Sequence, residues 1–84
     1  MFKTVAEFDE AMYSALCQIR DGSRLKELKL DYSDSDVLHA IKECVDRGYL
    51  EGVSFRGTAG GYIASEGDLF VTYSGLQYLE AHKS

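Results

Sequence analysis

The sequence predicts an α+β domain, helical in its first half and hairpin-bearing in its second, with one more helix to close it. Three observations predict this. Apolar residues recur at helical spacing in two stretches before Gly48 (Phe8, Met12, Ala15, Leu16, Ile19; then Val37, Leu38, Ile41, Cys44, Val45). After Gly48 the period shortens to two, with Val53 and Phe55 alternating with small or polar neighbours and Leu69, Val71 and Tyr73 alternating with Phe70 and Thr72. Between these runs lies "RGTAGGYIASEGD", rich in glycine, as a hairpin tip is. The 84 residues form one domain, 1–84, with no linker or internal repeat.

Thr4 followed by Glu7 is a capping-box pattern, so the first helix is expected to start at Thr4 and to run to Asp21-Gly22. A short second helix follows, capped by Ser23, with Leu25 and Leu28 on one side and Arg24, Lys26 and Lys29 elsewhere. Leu30-Asp31-Tyr32 is its turn, with Leu30 inward. The third helix opens with the capping pair Ser33 and Asp36 and ends at Gly48. Its outer face is read as Ser35, Asp36, His39, Lys42, Glu43 and Asp46. The hairpin then has a long glycine-rich tip with room for one short extra strand at Tyr62-Ile63, and the inner residues suffice to cover one face of a three-stranded sheet. Thr72 caps a last helix that turns Leu76 and Leu79 inward.

Apolar content of 45% and charged content of 27% are ordinary for a water-soluble globular chain. No apolar run approaches the ~18 residues of a membrane span, and "MFKTVAEFDE" lacks the order of a secretion signal. A cytoplasmic protein is expected. Cys17 and Cys44 fall on apolar helix faces and read as small buried hydrophobes rather than a disulfide. Net charge is −5. The one basic surplus is Arg20 to Lys29, while the third helix and the hairpin carry more acids than bases. The acids at the start of the third helix have a local reason: the positive end of the helix dipole favours them by roughly 0.3–1 kcal/mol each.

Two phrases carry a resemblance. "CVDRGYLEGV" (Cys44–Val53) is similar to the end of a winged-helix third helix running into the first wing strand. "FVTYSGLQYLEAH" (Phe70–His82) is similar to the last wing strand, a threonine cap and a closing helix. With "LKLDYSDSDVLHAI" (Leu28–Ile41), the order resembles the small YjcQ-like winged-helix family of Gram-positive bacteria and their phages. The resemblance spans nearly the whole chain. It implies three helices, a β-hairpin wing and a C-terminal helix, in a phage or prophage setting. It carries no catalytic or binding residues.

No enzyme is expected. Cys44 and His39 sit five apart on a helix, on different faces, and His82 lies at the chain's frayed end, so no nucleophile meets a base. Two His and two Cys lack the spacing of a zinc site. "GTAGG" (Gly57–Gly61) lacks the Lys-Ser/Thr and the helix of a phosphate loop. No cofactor, metal, membrane or small-molecule substrate is implied. Six tyrosines and four phenylalanines exceed what so small a core can hold. A protein–protein contact or homodimer through Tyr62, Phe70 and Tyr78 is therefore the favoured function. The alternative is a DNA-binding regulator that uses Arg20, Arg24, Lys26, Lys29, His39, Lys42, Arg47 and Arg56 to meet phosphates and base edges.

Overall fold

The computed structural model describes residues 2–30, 34–58 and 61–83, and of residues 34, 58, 61–63 and 83 it describes the backbone alone. The order is α1 (Val5–Arg20), a 3₁₀ turn (Leu25–Glu27), α2 (Asp34–Asp46), β1 (Leu50–Thr58), β2 (Gly61–Val71) and α3 (Tyr73–Lys83). This is an α+β arrangement of three α-helices and one antiparallel hairpin, an order compatible with a winged-helix layout.

Thr4 caps α1, its hydroxyl accepting from the Glu7 N–H at 3.1 Å. The return bond differs from the expected box: the Glu7 carboxylate accepts from Lys3 N–H, not from Thr4. Gly22, at φ 105°, turns the chain away after the helix, as its place in the sequence suggested. The second helix is a single 3₁₀ turn, with Arg24 rather than Ser23 at its N-cap. Three residues cannot form an α-helical ladder, and Glu27 closes the turn on the Arg24 N–H at 2.9 Å. The proposed Ser33 cap, with Asp31 and Tyr32, lies outside the described residues.

The core forms where α1 crosses α2. Ala11, Met12, Ala15, Leu16 and Ile19 of α1 meet Ala40, Ile41 and Cys44 of α2, with Leu50 and Leu79 closing the ends. Asp36, read as an outer residue, is buried. It stands one turn before Ala40 and so shares that helix's inner side.

The sheet has two strands, not three. The region read as a long tip is mostly ladder: pairing continues through Phe55–Ala64 and Arg56–Ile63 to Thr58–Gly61. The sequence there is glycine-rich, yet a ladder needs backbone groups more than side chains. Glu51 pairs with Phe70 but Val53 pairs with Glu66, so Gly52 stands alone against residues 67–69. A bulge of this kind changes which residues face inward. Leu50 and Val71 point to the core below it, and Val53 and Phe55 do so above it. Gly52 is at φ 91°, and a Cβ there would sit 2.1 Å from the Asp68 carbonyl oxygen. Only glycine fits.

Tyr73 begins α3 instead of ending the strand. Thr72 makes the switch. Its N–H bonds the Tyr49 carbonyl at 2.9 Å, its hydroxyl donates to the Gly48 carbonyl, and the same oxygen accepts from Gly75 N–H at 3.1 Å. Gly75 lets α3 lie against the α2–β1 connection, where a Cβ would approach Tyr49 O to 2.3 Å. The inward stripe of α3 is therefore Gly75, Tyr78 and Leu79, with His82 exposed at its end. Leu76, expected inside, is 41% exposed.

Candidate functional site

The tyrosines whose side chains are described separate into two groups. Tyr13, Tyr49 and Tyr78 are half-buried and pack together along α1 and α3. The rings of Tyr49 and Tyr78 stack at 4.8 Å, and Tyr13 stacks on His82 at 4.4 Å. Asp9 ties this cluster: the Tyr78 hydroxyl donates to its carboxylate and to its backbone carbonyl, and His82 Nε2 lies 2.7 Å from Oδ2. Burial and the hydrogen bond to Asp9 both push the Tyr78 hydroxyl well above the usual tyrosine range. His82 is thus held in place rather than frayed. The group docks α3 on α1, and Cys44, fully buried nearby, is pushed up to about 12 by loss of solvent and by Glu43 and Asp9.

The second group is a surface. Among the described residues the large hydrophobics standing in solvent are Val5, Phe70, Tyr73 and Leu76. Three of them fall at the junction of β2 and α3. Tyr73, 77% exposed, and Leu76 are three apart and share one face of α3. Phe70, 48% exposed, lies on the outer face of the hairpin, opposite Glu51. The expected interface residues distribute as follows. Phe70 is on this surface, Tyr78 is turned into the α1–α3 cluster, and Tyr62 belongs to β2 with its side chain outside the description. Tyr73 and Leu76 were not foreseen. Spacing alone could not have found Leu76, which stands three before the buried Leu79 and so reads as inward.

Val5 stands at the mouth of a separate cleft of about 440 Å³, between the start of α1 and the end of α2, lined by Phe2, Phe8 and Met12. A larger open groove of about 710 Å³ lies between the 3₁₀ turn, α2 and the hairpin, with Leu25, Val37, Leu38 and Ala64 in its walls and Lys26 and Glu66 among its polar residues.

Four of the eight residues proposed for DNA are paired with acids. Arg20 pairs with Asp21 at 3.2 Å, Lys42 with Asp46 at 2.9 Å and Arg47 with Glu43 at 2.8 Å. These contacts raise the Arg20 and Arg47 guanidinium pKa values further. Arg24 is a structural clasp. It lies 2.9 Å from Glu66, whose carboxylate also accepts from Leu25 N–H, and it donates to the Gly67 carbonyl. It therefore anchors the base of the hairpin to the 3₁₀ turn. His39 is half-buried on α2. Lys26, Lys29 and Arg56 are exposed and make no ion pair among the described residues.

Among the described residues no set of three or more His, Cys, Asp or Glu is placed to hold a metal ion, and no helix is long and apolar enough to cross a membrane. Comparison with known proteins found no matching family model, no similar curated protein and no similar solved structure.

Proposed function

We propose that the chain is a winged-helix module without enzymatic activity, which works in the cytoplasm in a phage or prophage setting and binds a protein through Phe70, Tyr73 and Leu76. The observation that carries this reading is the grouping of three exposed large hydrophobics at one strand–helix junction. Large hydrophobics exposed close together in the chain mark candidate interaction sites, and aromatic residues are favoured at the centres of such sites. The DNA-binding alternative loses ground for a charge reason. Affinity for duplex comes mainly from cations that neutralise phosphates, and Lys42 of α2 and Arg47 just beyond it already face carboxylates of that helix.

A photo-crosslinking amino acid in place of Tyr73, in the full chain inside its host, tests the reading. A discrete protein adduct is expected from position 73 and from position 76, and none from the exposed position 6. No discrete adduct at either 73 or 76 removes the proposal.

A further inference from the structure

We infer that the partner seated on this face is a second copy of the chain, whose groove between the 3₁₀ turn, α2 and the hairpin receives Phe70, Tyr73 and Leu76. The inference rests on the protein-binding reading above and names its occupant.

Charge is the first argument. From residue 57 to residue 82 the chain has no lysine or arginine. The aromatic face is rimmed by acids. Glu51 is the cross-strand partner of Phe70, and Glu80 lies four beyond Leu76 on the same side of α3. Asp68 precedes Phe70 by two. Glu51, Asp68 and Glu80 are exposed and make no ion pair among the described residues. The surface complementary to this one is apolar with a cationic rim. The groove has that character. Its apolar walls come from Leu25, Val37, Leu38 and Ala64, Lys26 lies in it, and Glu66, the one carboxylate among its described residues, is neutralised by Arg24. Lys29 follows three residues later in the chain's only stretch of basic surplus.

Geometry is the second. Ala64 and Glu66 face the same side of the hairpin as Phe55 and Val53, the side that packs on the helices. Phe70 and Glu51 face the other side. Groove and Phe70 thus lie on opposite sides of the hairpin, so Phe70 reaches a groove only in another molecule. A contact that joins two different surfaces makes rings, open chains or a doubly joined pair, according to how it closes. Interfaces below ~1,200 Å² are weak or transient, and three anchors place this one in that class.

Sedimentation equilibrium of the full chain up to ~1 mM, repeated across salt, is the test. Concentration-dependent association that weakens as salt shortens the screening length from ~10 Å at 0.1 M to ~3 Å at 1 M is expected. Two exposed-site variants reverse the rims: Lys26→Glu with Lys29→Glu, and Glu51→Lys with Glu80→Lys. Each alone should associate at least ~10-fold more weakly than wild type, and an equimolar mixture should recover a one-to-one complex. A wild-type chain that stays monomeric throughout overturns the inference; an adduct to a different protein at position 73 then still leaves the protein-binding reading standing. Self-association unaffected by the Lys26/Lys29 reversal also overturns it, because the groove is then not the receptor.

Discussion

Gly52 and Gly22 both have positive φ, yet their surroundings make them unequal. A Cβ at Gly22 meets nothing within 4 Å, whereas one at Gly52 collides with the Asp68 carbonyl and the Leu69 Cα. Gly22→Ala should cost about 1 kcal/mol from the backbone alone. Gly52→Ala should cost about 1–3 kcal/mol more, since the bulge must open. Urea midpoints measure the difference, and equal losses would mean that the bulge yields freely. Cys44 offers a pH test. Its folded value of about 12 stands above the 9.0 of an unperturbed thiol, so folding favours the neutral form. That contribution is complete below pH 9 and is lost as pH rises from 9 through about 12, at roughly 1.4 kcal/mol per pH unit. Tyr78 adds a loss of the same sign above its own unperturbed 10.0. Unfolding free energies across pH 8–11 should therefore fall, and Cys44→Ala should flatten the slope.

At the scale of elements, α2 is held by what it buries. Ile41 is 1% exposed at the α1–α2 crossing, so Ile41→Ala should cost about 2–5 kcal/mol out of the ~5–15 kcal/mol typical of a domain. Thermal melts read this directly, and an unchanged midpoint would contradict the packing described. The hairpin shows how far pattern reaches. Period-two runs at Val53–Phe55 and Leu69–Val71 placed both strands, because inward residues must alternate. The bulge was invisible to that rule: whether Val53 pairs with 68 or with 66 depends on where the helices sit. The 3₁₀ turn is a similar case. Leu25 and Leu28 are three apart in either helix, and the single turn follows from Arg24 reaching Glu66, forty-two residues away in sequence.

For the whole molecule, the net charge of −5 and the pairing of Arg20, Arg24, Lys42 and Arg47 bear on nucleic acid. Exposed ion pairs add little stability, about 0–1 kcal/mol, but each sets a carboxylate beside a cation that phosphate would need. Fluorescence anisotropy with a labelled nonspecific duplex should show no binding even at ~50 mM salt. Binding there that falls steeply as salt rises would restore the regulator reading.

The sequence by itself determined the α+β class, the ends of α1, the Thr72 cap and the apolar faces of α1 and α2. These follow from periodicity, caps and glycines, which act within a few residues. It also located the anionic balance of the third helix and hairpin. Only the tertiary structure decided that Tyr78 turns inward to Asp9 while Tyr73 and Leu76 face solvent, that Asp36 is buried, and that Arg24 serves the hairpin. The physical reason is common to all of these. Each depends on a partner distant in the chain, and an amphipathic side chain takes whichever environment that partner creates.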